Sequence, residues 1–292
     1  IYEIKSLRCS VMSKTGLTKF WKISVNILRH LAIYAFALII AAPFIWMILT
    51  SFKDMGEIYV YPPKWLPEKF NFDNYVKAFT AAPFGRYYAN SLIVAFTVTL
   101  GQLITCSMAA FAFARLKFKG RDILFYVFLG TMMIPYNVTM IPSFMVLYWL
   151  GWIDSYYALI VPGLASAFGT FLLRQFFITI PRELEEAAYI DGATKLQVLR
   201  RIIIPLAKPA LATLAIFTFM GVFNDFIWAL IVVNSEQMQT VQLGLAIFRD
   251  RYLTEWDLLM AGSVTAVLPI LIVFFFAQKY FIQGITLSGL KE

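Results

Sequence analysis

The feature that most constrains this chain is a series of six long apolar runs that contain almost no Asp, Glu, Lys or Arg. A helix needs about 20 mostly apolar residues to cross about 30 Å of hydrocarbon, and each run meets that length. Charged exceptions include Arg174, near one end of the fourth run, and Asp225, inside the fifth. The predicted spans are 31–51, 89–114, 123–150, 156–177, 209–233 and 258–281. The sequence therefore predicts an all-α integral membrane protein.

Charged residues are too scarce for a soluble fold. Asp, Glu, Lys and Arg make up 14% of the 292 residues, and hydrophobic residues make up 60%, whereas about 25% of a soluble domain is charged. So few charges cannot cover a water-facing surface, and so apolar a chain does not stay disordered. The net charge of +8 is attributed to basic loops beside membrane spans. We therefore expect a lipid membrane, and no nucleic acid, as a partner.

Several kinds of chemistry lack the residues they need. Cys9 and Cys106 lie far apart, which excludes a disulfide framework and a CxxC metal site. The single histidine, His30, lies at the edge of the first span, which rules against a membrane-embedded hydrolase of the HExxH type. No GxxxxGKS or GxxxxGKT phosphate loop occurs in the sequence. We expect no metal, no catalytic site and no bound ATP in this chain.

The charges between the spans predict the topology, because short cytoplasmic loops carry the excess of Lys and Arg. The loop after the second span is basic and predicted to be cytoplasmic, whereas the loops after the third and fifth spans are mainly acidic and predicted to lie outside. The basic loop contains Arg115, Lys117, Lys119, Arg121 and Asp122; the acidic loops contain Asp154, then Glu236, Arg249, Asp250, Arg251, Glu255 and Asp257. Six spans with both termini in the cytoplasm satisfy this pattern.

The spans and loops divide the chain into three parts. Residues 1–30 carry six Lys and Arg against one acid and lack the apolar core of a signal peptide, so they are predicted to be a basic cytoplasmic segment. Residues 31–284 form the six-span domain, in which 52–88 is predicted to be an ordered outer loop. Residues 285–292 are predicted to be a cytoplasmic tail. The one long cytoplasmic loop is 179–208.

The first half of this long loop predicts a short helix that ends at Gly192. Pro181 suits the first turn of a helix, and the helix dipole favours the acids that follow it. Gly192 is able to adopt the left-handed conformation that commonly ends a helix. The acids are Glu183, Glu185 and Glu186, and the residues that share one face are Leu184, Ala187 and Ala188.

The second half predicts another helix, and the resulting hairpin has two interpretations. Thr194 and Gln197 form a capping box, and Pro205 is expected to stop the helix. Its apolar side consists of Leu196, Leu199 and Ile203. An interfacial hairpin on lipid headgroups would combine a Lys- and Arg-rich face with bulky aromatic residues. The acids and small alanines of the first helix instead favour insertion into a groove of a partner protein.

The loop also resembles a known motif. Glu186-Ala187-Ala188, then Gly192 after three residues, then Ile202 after nine more, followed by Pro205, are similar to the EAA motif in permease subunits of binding-protein-dependent ABC importers. Ile204 stands where that family usually has Leu. Further pieces resemble the carbohydrate-uptake class, in particular the MalG-like subunits of maltose-type systems. They are Asp191-Gly192-Ala193, Pro205-Leu206, Pro62-Pro63-x-Trp65, Asn74-Tyr75, Asn90-Ser91, Ile134-Pro135, Ile141-Pro142, Asn224-Asp225 and Gly284-Ile285-Thr286.

The resemblance implies a type I ABC importer permease fold and a set of partners. These are a second, MalF-like permease subunit, two cytoplasmic ATPase subunits that hold ATP and Mg²⁺, and an extracytoplasmic sugar-binding protein. It places the chain in the bacterial cytoplasmic (inner) membrane as a multi-pass transport subunit that is not an enzyme. The tail from Thr286 to Glu292 would reach toward the ATPase.

The resemblance also implies roles for residues of the loop. Glu186 would pair with a basic residue of the ATPase, Ala187 and Ala188 would permit close approach, and Gly192 would make the turn. Asp191 and Pro205 complete the expected ATPase-coupling set.

Asp225 is the only acid inside a predicted span, and a charge that is costly to bury is a candidate for function. Together with Asn224 and Trp228 it would line a polar pathway for a sugar. The alternative is a structural polar contact that holds helices together or pairs with a partner subunit. The sequence leaves both interpretations open.

Other functions and solutes also stay open at this point. An ion-coupled secondary transporter would show repeat symmetry and networks of buried ionisable groups, which we do not find. A purely structural membrane subunit is a further alternative. Within the resembling family an oligosaccharide is the first expectation for the solute, and a monosaccharide, a polyol or a glycerol phosphate are alternatives.

Overall fold

The computed structural model describes the backbone of residues 2–249 and 254–289, and side chains at positions 21, 24–249, 254–276, 278 and 279. The helices are α1 (Tyr2–Thr50), α2 (Met55–Ile58), α3 (Asp73–Thr80), α4 (Phe84–Arg115), α5 (Arg121–Gly130), α6 (Tyr136–Trp149), α7 (Tyr156–Ile160), α8 (Ala167–Thr179), α9 (Glu183–Ile190), α10 (Lys195–Val198), α11 (Ile204–Leu206), α12 (Lys208–Phe223), α13 (Ile227–Val232), α14 (Val241–Leu245) and α15 (Trp256–Gly289). No β-strand occurs in these described ranges, which confirms the all-α prediction.

Six membrane crossings are present if each bent pair of helices counts as one. Four segments are long and apolar enough to cross singly: Ser24–Thr50, Phe84–Arg115, Tyr156–Thr179 and Trp256–Phe276. Two pairs are bent: Arg121–Met133 with Tyr136–Trp149 by 100°, and Lys195–Leu206 with Lys208–Phe223 by 81°.

The third crossing is broken at Pro135. Proline disfavours the helical conformation of the residue before it, and Ile134 is accordingly extended, with φ −83° and ψ 117°. Pro142, by contrast, lies inside α6 without ending it. Of the two prolines that predicted a kink or break in this span, only the first interrupts the helix.

The fifth span differs from the single run predicted over 209–233. Helix α12 already begins at Lys208 and ends at Phe223, and α13 begins at Ile227. Between them, the Asp225 carboxylate accepts a hydrogen bond from the backbone N–H of Trp228 at 3.0 Å. A short acidic side chain that bonds nearby backbone in this way competes with a continuous helix, so hydropathy alone missed the break.

Helix α4 forms the centre of the bundle. It packs against α8 and α12, and α12 packs in turn against α15. Small side chains such as Ala95 and Ala110 pack there beside large ones such as Phe177 and Phe219, and all four are buried. Helix α1 packs along α15, but none of the residues in its apolar window is buried, as expected for a span whose sides face lipid or another subunit.

The contacts at the ends of α4 show which loops lie together. At its C-terminal end, Arg115 forms an ion pair with Glu185 of α9, so loops 116–120 and 180–207 share one end of the bundle. At its N-terminal end, Asn90 binds the backbone of Gln237 and Gln239. This grouping is the one that the alternation of loop charge predicts. Asp250, Arg251 and the last three residues of the predicted tail, 290–292, lie outside the described residues.

Candidate functional sites

Helix α9 carries the acidic half of the long loop and ends in a tight turn. Its first turn contains Glu183, Glu185 and Glu186, where negative charge is favourable. Gly192 has φ +81°, and the N–H of Ala193 donates to the carbonyl of Ala188 at 2.9 Å. The left-handed turn predicted at Gly192 is therefore confirmed.

The second helix of the loop begins as predicted and ends one residue late. Thr194 and Gln197 form the capping box reciprocally, with distances of 2.7 and 3.4 Å. The helix continues through a π-helical turn, Leu199–Ile203, and α11 to Leu206. Pro205 does not stop it at once: it closely follows the π-helical turn, a local change of the hydrogen-bond pattern next to the proline, which lacks an N–H. The sharp bend follows at Ala207.

The face of this second helix that packs inward is shifted from the predicted one. Val198, Leu199 and Ile203 are buried against Leu173 and Phe177 of α8. Leu196, expected on the same side, is 66% exposed. The π-helical turn widens the spiral, so the 3.6-residue period used for the prediction does not hold through this segment.

The outward surface of the loop combines acids with bare apolar side chains. Ile190 is 87% exposed, and Leu184 and Tyr189 are also exposed. Among the predicted coupling residues, Ala188 is half-buried and packs on the loop's apolar core. The others, Glu186, Ala187, Asp191, Gly192 and Pro205, are all exposed. The structure thus leaves five of these six predicted residues accessible.

A buried ion pair beneath α9 was missed by the sequence analysis. The Nε of Arg115 lies 2.6 Å from Oε1 of Glu185, and both side chains are less than a tenth exposed. Arg115 also donates to the carbonyls of Phe177 and Ile180 at 2.7 and 2.6 Å. Burial raises the pKa of the Glu185 carboxyl, and the Arg115 charge partly offsets that rise. In the sequence, Arg115 is one of several loop bases and Glu185 one of several acids, so nothing distinguishes this pair.

The three pathway candidates lie at the break between α12 and α13, in different environments. Asn224 is exposed and its Oδ1 accepts from Gln242 Nε2 at 3.1 Å. Asp225 is half-buried and bonds the Trp228 backbone. The Trp228 indole is 6% exposed and donates through Nε1 to the carbonyl of Ala158 at 3.0 Å. Asn224 is thus the most accessible of the three, and Trp228 is packed in the interior.

A cleft of about 430 Å³ lies beside this break. Gln242, which bonds Asn224, is one of its lining residues, and Arg249, Trp256 and Ser263 line it as well. Its remaining walls are mainly apolar. Apolar and aromatic walls with a few polar groups are typical of small-molecule sites. Sequence reasoning missed this cleft because residues from α14, α15 and the segment between them form it together.

The end of the bundle predicted to lie outside, called the outer end here, is fixed by polar side chains that bond loop backbone. Asn90 donates to the carbonyls of Gln237 and Gln239, both at 2.8 Å, and accepts from the Tyr156 hydroxyl at 2.6 Å. Ser91 accepts from the N–H of Val241 at 2.9 Å. The Asn90-Ser91 pair noted in the sequence therefore holds the loop that follows α13.

A second contact at this end joins the loop between α6 and α7 to the loop that follows α13. The Asp154 carboxylate accepts from the N–H groups of Asn234 and Ser235 and from the Ser235 hydroxyl, at 2.9 to 3.0 Å. Burial raises the pKa of Asp154, but these hydrogen bonds more than offset the rise and hold the pKa below its ordinary value.

The long outer loop is anchored by a buried lysine. Lys53 is 1% exposed, and its ammonium lies 4.4 Å from the ring centroid of Trp46. Trp46 packs edge-on against Trp65, and Asn74 donates to the carbonyl of Lys53 at 2.8 Å. Burial lowers the pKa of Lys53. The Pro62-Pro63-x-Trp65 and Asn74-Tyr75 pieces therefore meet at one anchor.

Comparisons with known proteins agree on one family. Residues 101–287 match the family described as "Binding-protein-dependent transport system inner membrane component". The arabinooligosaccharides permease protein AraQ of Bacillus subtilis strain 168 is 38% identical, over 77% of this chain and 80% of its own. The trehalose/maltose permease protein MalG of Thermococcus litoralis is 35% identical, over 87% and 93%. The sn-glycerol-3-phosphate permease protein UgpE of Brucella abortus strain 2308 is 33% identical, over 89% and 95%.

A solved structure agrees with these relatives. The chain resembles a bacterial ABC transporter involved in the import of the acidic polysaccharide alginate, with a TM-score of 0.75 and 26% identity. The match covers 88% of this chain and 96% of the other.

Proposed function

Since the chain belongs to the family of inner-membrane components of binding-protein-dependent transport systems, we propose that it imports an oligosaccharide, driven by a separate ATPase. It is a multi-pass permease subunit of the sugar ABC importer type and not itself an enzyme. The observation that carries the coupling proposal is the exposed α9 surface, where Ile190 is 87% exposed beside acidic residues. An apolar patch rimmed by charge marks a protein interface.

Coupling proceeds through α9. Two cytoplasmic ATPase subunits hold ATP and Mg²⁺, and each accepts a coupling helix in a groove. Glu186 and Asp191 meet basic side chains there, Ala187 and Ala188 allow close approach, Gly192 fixes the turn, and Pro205 directs the chain into α12. Closure of the ATPase pair then rocks the spans between inward-open and outward-open states, so that the binding site faces each side in turn.

The complete importer contains more subunits than this chain. A second, MalF-like permease subunit completes the pathway, and the unburied face of α1 is available to it. A sugar-binding protein delivers the solute at the outer end. The assembly resides in the bacterial cytoplasmic membrane, with both termini of this chain in the cytoplasm.

The solute passes Asn224, Asp225 and the neighbouring cleft. Amide and carboxylate groups bond sugar hydroxyls, and Trp228 shapes the wall from beneath. Relatives named for arabino-oligosaccharides and for trehalose and maltose support an oligosaccharide. A second candidate is glycerol 3-phosphate, for which one relative is named, and Arg249 in the cleft favours an anionic solute.

The coupling proposal is tested by Glu186→Lys and Gly192→Pro. Both variants are expected to insert with their spans folded, because both positions are exposed outside the spans, yet to lose solute-stimulated ATP hydrolysis and uptake. Proline cannot adopt the φ of +81° at Gly192, so that variant disrupts the turn itself. Glu183→Lys, which makes the same charge change one turn earlier, is the matched control and is expected to keep both. Normal stimulated hydrolysis and uptake in Glu186→Lys and Gly192→Pro would refute the assignment.

The solute is tested with the complex in proteoliposomes and its co-purified binding protein. Arabino-oligosaccharides, maltose and glycerol 3-phosphate are supplied in turn, with ATP inside. We expect uptake of an oligosaccharide. Uptake of glycerol 3-phosphate alone would favour the second candidate, and uptake that follows an ion gradient without ATP would refute an ATP-driven importer.

The pathway role of Asp225 is tested with Asp225→Ala and Asp225→Asn. If Asp225 bonds the solute, Asp225→Ala lowers affinity or flux, while the amide of Asp225→Asn retains part of either. If the carboxylate serves only to bond the Trp228 backbone, flux and affinity stay unchanged and the stability of the complex falls instead.

A further inference from the structure

Helix α9 is attached to the rest of the protein by a charged side chain. Among its eight residues, all of which the structure describes, Glu185 alone is buried. Leu184, Tyr189 and Ile190 are exposed, so no large apolar side chain of α9 anchors it. Its orientation relative to the spans therefore depends on the Arg115–Glu185 contact, together with the packing of Ala188.

Arg115 connects three elements at one point. It is the last residue of α4, it pairs with Glu185 of α9, and it donates to the carbonyls of Phe177 and Ile180 at the end of α8. Helix C-termini leave carbonyls without intrahelical partners and attract cations. One planar guanidinium therefore donates through Nη2 to both α8 carbonyls and holds Glu185 by an ionic contact at Nε.

Helix α4 extends from this contact to the outer end of the bundle. Its 32 residues form one uninterrupted helix, about 48 Å long at 1.5 Å per residue. Asn90 and Ser91, near its other end, bond the backbone of the outer loop at Gln237, Gln239 and Val241. A single rigid helix thus joins the loop that follows the pathway break to the helix proposed to meet the ATPase.

We propose that the Arg115–Glu185 ion pair makes α4 and α9 move as one body, and so transmits closure of the ATPase to the outer half of the pathway. The proposal rests on the proposed function. Arg115 and Glu185 are positioning residues: neither touches the solute or ATP. Without the pair, α9 remains docked on its ATPase but turns on its flexible connections, and the spans no longer follow.

The test measures opening and ATP hydrolysis separately: Mg·ATP with vanadate is used for opening, and Mg·ATP alone for hydrolysis. Asn224→Cys, at an exposed pathway position, reports opening through its reaction with a membrane-impermeant maleimide added outside. Right-side-out vesicles that contain the whole importer are loaded either with Mg·ATP and vanadate or without nucleotide. The parent protein without Asn224→Cys gives the background, since Cys106 is buried.

With the pair intact, we expect trapping to change the labelling rate at least about fivefold, within the usual range of coupling between sites. In Arg115→Gln and Glu185→Gln the change should fall below about twofold, while ATP hydrolysis stays within about threefold. Arg115→Lys, which keeps the charge but not the planar donor set, should be intermediate. Glu183→Gln, which removes an exposed acid from the same helix, should behave like the unmodified protein.

The double variant Arg115→Gln/Glu185→Gln guards against failure to fold, because it leaves no unpaired buried charge. It is expected to hydrolyse ATP without the labelling change. A full labelling change in this variant would overturn this inference and leave the proposed function standing. Loss of ATP hydrolysis together with loss of the labelling change would also overturn this inference. No nucleotide-dependent labelling in the unmodified importer would overturn the proposed function and the inference with it.

Discussion

The two ends of the bundle are held together by different means. At the outer end, polar side chains such as Asn90, Asp154 and Asn74 bond loop backbone at several points. At the end predicted to be cytoplasmic, α9 has one buried side chain and leaves Ile190 bare. Several buried side-chain hydrogen bonds to backbone thus hold the outer loops, whereas α9 has few internal contacts and an exposed apolar surface.

The two ends differ in how their backbone N–H and C=O groups find hydrogen-bond partners. Irregular loops have no helical partners for their N–H and C=O groups, so buried ones need side chains to satisfy them. Asn and Asp serve this purpose at Asn90 and Asp154. Helix α9 satisfies its own backbone and is free to expose its side chains, which is the arrangement that a docking surface requires.

The largest effect that separates the two ends is expected from Asn90→Leu. This change leaves the carbonyls of Gln237 and Gln239 and the Tyr156 hydroxyl without their partner. The loss is expected to cost about 3 kcal/mol or more, since three groups lose a partner and each unsatisfied buried group costs about 1–3. Thermal unfolding in detergent measures it, and hydrogen exchange should rise over residues 233–241.

Asn71→Leu is the matched control for this variant. Asn71 bonds the Asp54 carboxylate at an exposed position, so its loss is expected to cost less than about 1 kcal/mol. Equal destabilisation by the two variants would contradict the view that the outer end depends on buried polar contacts. Assembly with the ATPase should be unaffected by either change.

A smaller effect, on affinity for the ATPase and not on stability, is expected from Ile190→Ser. The side chain is 87% exposed in the isolated chain, so thermal stability of the permease should change little. Burial of an isoleucine on a partner contributes about 1.5–3 kcal/mol, and affinity for the ATPase should fall about tenfold or more. Titration of purified ATPase against the permease in nanodiscs measures this affinity.

Leu66→Ser gives the comparison for Ile190→Ser, because Leu66 is 68% exposed at the outer end. It should leave ATPase affinity unchanged. A loss of permease stability in Ile190→Ser without a loss of affinity would show that α9 packs internally and is not a docking surface.

Much of this organisation was predictable from the sequence, because it follows from local chemistry. The all-α membrane fold follows from apolar runs of sufficient length, and the turn at Gly192 and the box formed by Thr194 and Gln197 follow from short-range rules. The break at Asp225 was not predicted, because an apolar run of sufficient length does not reveal that one side chain within it bonds nearby backbone.

The Arg115–Glu185 pair escaped for a different reason. The two residues lie 70 positions apart, on segments that only the folded bundle brings together. Both residues lie at the end of the bundle where the loop charges predict them, yet loop charge alone does not distinguish a buried partner from an exposed one. Glu186, the acid that the motif singles out, is exposed, and its neighbour Glu185 is the one that points inward.

The smallest expected effect is the pH dependence that Asp154 contributes at the outer end. The pKa of Asp154 is held below its ordinary value by hydrogen bonds from Asn234 and Ser235, so the ionised carboxylate stabilises the fold. That contribution is fully present above the unfolded pKa of about 3.9, and it is lost as the pH falls through the lower folded value.

Asp154→Asn removes the charge and still tolerates the positive φ of 59° at this position. The melting temperature of the unmodified protein should therefore exceed that of Asp154→Asn above about pH 4, and the difference should shrink toward zero below it. A difference that stays constant down to pH 2 would show that the amide loses geometry rather than charge.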